Sequence, residues 1–141
     1  MSIGFLGYAA ALGLAAAGSA LGMGAAGQAA IGAWKKCYAS NKAAPFMLVA
    51  FVGMPLTQTL YGFILMNSII ASSMDPMGLL SAGLFGGLGI GASAFMQGKA
   101  AAAASDSLAE TGKGFGNYVM VIGLIETVAL LAMVFLMGAV G

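Results

Sequence analysis

The apolar positions fall into four long stretches, which charged residues and one Asp-Pro pair separate. The stretches cover residues 1–34, 43–74, 77–97 and 114–141, and the third is expected to continue as helix to about residue 105. About 20 apolar residues span the hydrocarbon of a bilayer as a helix, which also satisfies the backbone polar groups that lipid cannot bind. The pattern therefore predicts an all-α membrane protein with four transmembrane helices.

The separators group these helices into two transmembrane hairpins. The first hairpin is predicted at residues 1–74 with a loop at 35–42, and the second at residues 75–141 with a loop at about 105–113. The five basic residues, all lysines, lie in or near these two loops. The positive-inside rule then predicts a multi-pass protein of the cell membrane, with both loops in the cytoplasm and with both termini and Asp75 outside.

The two hairpins resemble each other in sequence. The segment LGMGA of the first helix matches LGIGA of the third, and residues 53–57 resemble residues 123–127 at nearly the same shift. We interpret this similarity as a tandem duplication. Under that alignment Leu56 occupies the place of Glu126, so one hairpin keeps a carboxylate and the other lacks it.

Small residues recur at every fourth position in the first and third helices, at Gly18 and Gly22 and at Gly83, Gly87 and Gly91. This spacing lets helix backbones approach closely. The second and fourth helices carry larger apolar side chains. The first and third helices therefore suit the crowded inner layer of a ring of subunits, and the other two suit a roomier outer layer. Ordinary packing within a helix bundle is the alternative interpretation of the same spacing.

Composition and charge exclude several classes of protein. Hydrophobic residues make up 61% of the 141 residues and charged residues 6%, whereas soluble domains carry about 25% charged residues. The net charge of +1 leaves no basic surface for nucleic acid. The chain has no histidine, and its one cysteine, Cys37, cannot form an intrachain disulfide. Neither a nucleophile–base set nor a phosphate-binding loop is evident, so we expect no enzyme activity from this chain alone and no organic cofactor.

One carboxylate lies within an apolar stretch. Glu126 is near the middle of the fourth predicted helix, whereas Asp75, Asp106 and Glu110 lie at the ends of segments. A charged side chain at the bilayer centre costs roughly 2.5 to 3.5 kcal/mol on insertion scales, and such residues are usually functional. The position of Glu126 therefore marks it as the centre of a functional site.

Other oxygen-bearing side chains are available near the same depth. Four residues share one face of the second helix at helical spacing: Met54, Thr57, Gln58 and Tyr61. Gln97 adds an amide from the third helix, and Pro55 can leave a backbone carbonyl free. Hard oxygen donors with a single negative charge favour Na⁺ or H⁺ over a soft or divalent metal. An interhelical polar clamp is the structural alternative, but it does not require a carboxylate.

At these residues the sequence resembles the proteolipid ring subunit, called c or K, of V-type (V/A-type) rotary ATPases of the sodium-coupled bacterial kind. The resemblance covers nearly the whole chain. It rests on the two fused hairpins, the glycine-rich first and third helices, residues 55–62, the segment Gln97-Gly98-Lys99 and Glu126. It implies a rotor subunit that carries Na⁺ on the mid-membrane glutamate while the ring turns.

The resemblance also implies partners and ligands. Identical subunits would form a closed ring in lipid, next to a static membrane subunit that carries an arginine, and a central-stalk subunit would dock on the cytoplasmic loops. Tyr61 would donate a hydrogen bond to Glu126, and Met54 would contribute its backbone carbonyl to the ion. The side chains that would bind Na⁺ are Thr57, Gln58, Gln97 and Glu126.

Two alternatives remain open from the sequence. The same rotor could carry H⁺, with the amides only orienting a protonated Glu126. The second alternative is a small oligomeric pore-forming membrane protein whose glycine-rich helices associate. A pore predicts an open aqueous path, whereas a rotor predicts an ion site enclosed between helices.

Overall fold

The computed structural model describes residues 2–141, and its regular elements are all helical. They are α1 (Gly4–Ala39), α2 (Leu48–Gly53), a 3₁₀ turn (Met54–Leu56), α3 (Thr57–Ala71), α4 (Pro76–Thr111) and α5 (Phe115–Val140). Because α2, the 3₁₀ turn and α3 follow one another directly, they form one membrane span, Leu48–Ala71. Four helices are thus long and apolar enough to cross a membrane, which confirms the predicted fold class.

Both predicted loops at the lysine-bearing end are wrong in their bounds. Helix α1 continues to Ala39, although the first loop is predicted to start at residue 35. Helix α4 continues to Thr111, although it is predicted to end at about residue 105. At about 1.5 Å per residue, each of these 36-residue helices is about 54 Å long, which exceeds the roughly 30 Å of hydrocarbon. Lys35, Lys36, Asp106 and Glu110 therefore lie on helix ends that extend beyond the apolar layer.

These helix ends persist because they pack against each other. Ala33 and Cys37 of α1 are buried, as are Ala104 and Leu108 of α4. Apolar side chains on the shared face keep the two helices paired even at these ends, where their exposed faces carry charged residues. The α4 helix stops only at Gly112, which adopts a left-handed conformation with φ 68° that suits glycine.

The closest packing in the chain is between the backbones of α1 and α4. A Cβ atom added at Gly18 would overlap the backbone of Gly91, and one added at Gly83 would overlap the backbone of Gly7. Gly22 leaves room in the same way for the carbonyl of Ala94. The predicted crowding of the first and third helices therefore occurs within a single chain.

The remaining two predicted packing glycines lie along the same contact. An added Cβ at Gly87 would meet the carbonyl oxygen of Ala10 at 2.5 Å, and one at Gly91 would overlap the carbonyl of Leu14. Contacts of α1 with residues of α4 at a nearly constant offset in sequence show that the two helices run parallel. Corresponding helices of the two hairpins thus lie side by side.

The turns and ends separate into two groups at opposite ends of the molecule. Lys36 at the end of α1 forms an ion pair with Asp106 near the end of α4, with 3.3 Å between Nζ and Oδ1. At the other end Gly4 lies against Leu79 and Pro76, and Asp75 caps α4 by accepting from the amides of Met77 and Gly78. The two lysine-bearing turns are therefore on one side of the bundle, as the hairpin arrangement predicts. Which side is cytoplasmic stays a prediction.

Candidate functional site

Three helices bring polar side chains together about halfway along the length of the bundle. Glu126 is the twelfth of 26 residues in α5, so roughly half of that helix lies on either side of it. Thr57 and Gln58 begin α3 near the middle of the second span, and Gln97 extends from α4. The structure thus brings Thr57, Gln58 and Glu126 into direct contact. Gln97 is connected to this group through the side chain of Gln58.

Pro55 shapes the helix next to the site. Proline lacks an amide hydrogen and clashes with the carbonyl four residues earlier, which disfavours a regular α-helix. In this chain the interruption is a 3₁₀ turn at Met54–Leu56, and Pro55 itself is buried near Gly22 of α1. The turn places the Met54 carbonyl beside the Thr57 hydroxyl, with 3.2 Å between the two oxygens.

The Thr57 hydroxyl is surrounded by acceptor oxygens. Its Oγ1 lies 3.2 Å from the carbonyl oxygen of Met54 and 3.2 Å from Oε1 of Gln58, and it is in close contact with Oε1 of Glu126. A threonine hydroxyl has a single proton to donate. Four oxygens therefore meet here with fewer hydrogen-bond donors than acceptors.

The two glutamines form a directed chain behind these oxygens. Gln58 donates from Nε2 to Oε1 of Gln97 at 2.8 Å, and Gln97 donates from Nε2 to the carbonyl of Ile122 at 3.1 Å. Both glutamine side chains are completely buried. Burying an amide without a hydrogen bond is costly, so the two glutamine side chains are expected to keep this one hydrogen-bonded arrangement.

Glu126 and its neighbours lie at the edge of the chain rather than in its centre. Glu126, Thr57 and Tyr61 are partly buried, whereas the glutamines are enclosed. In the part of the chain that the structure describes, no basic side chain forms an ion pair with Glu126. A carboxylate in lipid without a basic partner must be neutralised by a proton or a bound cation.

Tyr61 lies next to both Glu126 and Thr57. That the Tyr61 hydroxyl donates a hydrogen bond to Glu126 stays a prediction. The structure therefore brings Tyr61 to the site without assigning its hydroxyl to the carboxylate.

Sequence reasoning missed Ser93. It is buried on α4 one turn before Gln97, and its hydroxyl donates to the carbonyl of Ile125 at 2.9 Å. Nε2 of Gln58 approaches the same hydroxyl at 3.5 Å. The spacing of four residues between Ser93 and Gln97 is a signal that could have identified it, since both side chains then share one helix face.

This donor set suits a small hard cation or a proton. One carboxylate, one hydroxyl, amide oxygens and a backbone carbonyl are oxygen ligands of the kind that hard cations prefer. Within residues 2–141 no three His, Cys, Asp or Glu side chains are grouped in a way that could hold a metal ion. The single carboxylate balances one positive charge.

Part of the second hairpin is similar in sequence to a known protein family. Residues 80–137, which include Gln97 and Glu126, match the family model of the ATP synthase C subunit. Comparison with curated proteins gives no significant match. Members of this family are non-catalytic membrane ring proteins of ATP synthase and ATPase complexes. The match shows that this part of the second hairpin is similar to the C subunit of ATP synthase.

Proposed function

We propose that this chain is the Na⁺-carrying rotor ring subunit of a V-type ATPase. The observation that carries the proposal is the group of oxygens around Thr57. The hydroxyl of Thr57 lies within 3.2 Å of the Met54 carbonyl and of Gln58 Oε1, and it contacts Glu126 Oε1. A monovalent cation among these oxygens would satisfy the acceptors that the one hydroxyl proton cannot.

A proton would require much less than this site provides. To hold H⁺, Glu126 needs only one acceptor for its hydrogen bond. A dehydrated Na⁺ must replace its water shell and so needs several oxygens at once. Burying a polar group that lacks a partner costs roughly 1 to 3 kcal/mol, so extra oxygens in lipid are unfavourable unless something binds them. The oxygen count therefore favours Na⁺ as the transported ion, with Thr57, Gln58, Gln97, Glu126 and the carbonyl of Met54 as its ligands.

The position of the site suits a rotating ring. Glu126 and Thr57 are partly exposed at the edge of the chain, where an ion could arrive from the static membrane subunit. The glutamines behind them are completely buried. Identical copies would form a closed ring with one ion per chain. A neutralised Glu126 can pass through lipid as the ring turns, and a bare carboxylate resists that passage.

Other subunits would supply the remaining steps. A static membrane subunit would provide the access paths on the two sides and an arginine that helps to release the ion. The paired ends of α1 and α4, joined by Lys36 and Asp106, extend beyond the apolar layer and would contact the central stalk in the cytoplasm. ATP would bind elsewhere in the complex.

The test is the protection of Glu126 by Na⁺ in the purified oligomer. Modification by a hydrophobic carbodiimide should slow as Na⁺ rises at fixed pH, because a bound cation occupies the carboxylate. Gln97→Leu should raise the Na⁺ concentration for half-protection at least about tenfold, since it removes a fully buried ligand. Gln28→Leu, an exposed glutamine on α1, is the matched control and should behave as wild type.

The outcomes separate the candidate functions. If modification depends on pH alone over a wide range of Na⁺, the ring carries H⁺ and the Na⁺ proposal is overturned. If the purified oligomer conducts ions passively in a bilayer without its partner subunits, the pore-forming alternative is favoured instead.

A further inference from the structure

We infer that Ser93 is a positioning residue for the ion site, which holds the Gln58 amide with its oxygen directed at the cation. The inference rests on the proposed Na⁺ function and concerns a residue that binds no ion itself. Ser93 is 5% exposed, and its hydroxyl lies between the backbone of α5 and the side chain of Gln58. Two backbone carbonyls of α5, those of Ile122 and Ile125, determine which way the linked polar side chains point.

The first fixed point is the carbonyl of Ile122. A backbone carbonyl can only accept, so Gln97 must present its NH₂ group there, at 3.1 Å. Oε1 of Gln97 then faces Gln58 and accepts from Nε2 at 2.8 Å. The opposite side of the Gln58 amide, its oxygen, is consequently directed toward Thr57 at 3.2 Å.

The second fixed point is the carbonyl of Ile125, the residue before Glu126. Ser93 has one hydroxyl proton and donates it to this carbonyl at 2.9 Å. Only lone pairs of Oγ remain for Gln58, whose Nε2 lies 3.5 Å away. This contact is long for a hydrogen bond and contributes little attraction by itself.

Ser93 acts mainly by disfavouring the turned-over orientation of the Gln58 amide. If the amide of Gln58 turned over, its oxygen would face two acceptors, Gln97 Oε1 and Ser93 Oγ, and its NH₂ group would point at the cation. Both contacts would be repulsive in a buried site of low polarity. Ser93 and Gln97 together therefore exclude the orientation that cannot bind Na⁺.

This arrangement separates Na⁺ binding from protonation. Na⁺ requires the oxygen of Gln58, whereas protonation of Glu126 can proceed with the hydroxyl or carbonyl oxygens beside it. Loss of the Ser93 hydroxyl should therefore weaken Na⁺ binding and leave the pH dependence of carboxyl modification in place. A purely structural serine would change both properties or neither.

The experiment compares Ser93→Ala with wild type in the assembled oligomer, with Na⁺ protection and the Na⁺-free pH profile as its two readouts. Ser93→Ala should raise the Na⁺ concentration for half-protection about threefold to tenfold, the range of one net hydrogen bond, without moving the pH profile. Ser93→Thr keeps the hydroxyl and should restore most of the protection. Ser105→Ala is the matched control, because Ser105 is a fully buried serine on α4 whose hydroxyl has no hydrogen-bond partner among residues 2–141.

Each outcome decides the inference. Protection of Ser93→Ala at wild-type Na⁺ concentrations overturns the role of Ser93 and leaves the Na⁺ function standing. A wild-type ring without Na⁺ protection overturns both. Equal shifts in the pH profile and in Na⁺ protection also overturn the inference, because they indicate general loosening. If Ser93→Ala does not assemble, Ser93→Cys, of similar size with a weaker donor, takes its place: wild-type protection overturns the inference and reduced protection supports it.

Discussion

Thr57 in the first hairpin and Thr127 in the second make the same local bond in different surroundings. Thr57 donates to the carbonyl of Met54 at 3.2 Å, and Thr127 donates to the carbonyl of Leu124 at 2.5 Å, three residues earlier in each case. Thr57 also contacts Glu126, whereas Thr127 is exposed on the outer face of α5. The same helical motif therefore becomes part of a site only where a second helix brings a carboxylate to it.

The same contrast holds at the other positions that the repeat aligns. Ser93 and Gln97 of α4 correspond to Ala26 and Ala30 of α1, which are buried among apolar side chains. Leu56, at the place of Glu126, is 52% exposed. The first hairpin thus contributes neutral oxygens from Thr57 and Gln58, and the second contributes the charge. One site per chain follows from the meeting of the two halves.

Removing the charge from the second hairpin is expected to have the largest effect. Glu126→Gln should reduce coupled ion transport by the assembled ATPase to background, because no other carboxylate lies near the middle of a helix, and the ring should still form. Leu56→Gln makes a polar change at the aligned position of the first hairpin and should retain transport. Transport by Glu126→Gln at the wild-type rate would refute the assignment of the site.

Substitution of glycines on α1 is expected to have the next largest effect. Gly18→Ala should destabilise the assembled protein by roughly 1 to 3 kcal/mol, because the added Cβ would overlap the backbone of Gly91. Gly24→Ala on the same helix is the matched control, since an added Cβ there meets nothing within 4 Å. Helix propensity predicts that this change is neutral or stabilising by up to about 1 kcal/mol.

Ring yield in detergent and the temperature of dissociation measure both glycine variants. Equal behaviour of Gly18→Ala and Gly24→Ala would show that close approach of α1 and α4 is not required for assembly.

The two threonines provide a more specific comparison. Thr57→Val should raise the Na⁺ concentration for half-protection of Glu126 about tenfold, because the hydroxyl at the centre of the oxygen group is lost. Thr127→Val removes a hydroxyl with the same local bond and should leave Na⁺ protection unchanged. A similar loss in both variants would mean that helix stability, rather than ligation, explains the effect.

The smallest effect is expected at the lysine-bearing end. Lys36→Ala should change the stability of the oligomer by less than about 0.5 kcal/mol, since Lys36 and Asp106 are 74% and 60% exposed and surface ion pairs contribute little. Thermal dissociation of the ring measures this. A marked loss of stability would instead show that the paired helix ends depend on this contact, and not on the buried Ala33 and Leu108.

Much of the site could be predicted because its chemistry is unusual for its setting. A carboxylate and amides at about the same depth are unusual in helices that are mostly apolar, and helical spacing places Thr57 and Gln58 on the same face as Tyr61. Ser93 could not be singled out in the same way, because serine is common in membrane helices and makes local bonds to its own helix. Its bond to Ile125 depends on the approach of α5, which periodicity does not reveal.

The apolar pattern along the chain is sufficient to predict the number of membrane spans, because long apolar helices satisfy their own backbone in lipid. The positions of glycine and alanine are sufficient to predict which helices are crowded, because small residues permit close backbone contact. The helix ends and the oxygens that meet at the site depend instead on contacts between helices. Ends at Ala39 and Thr111 arise because α1 and α4 bury each other's small side chains beyond the apolar layer. The direction of the Gln58 amide arises because carbonyls of α5 accept from α4. Both depend on contacts between residues distant in sequence, which no local pattern encodes.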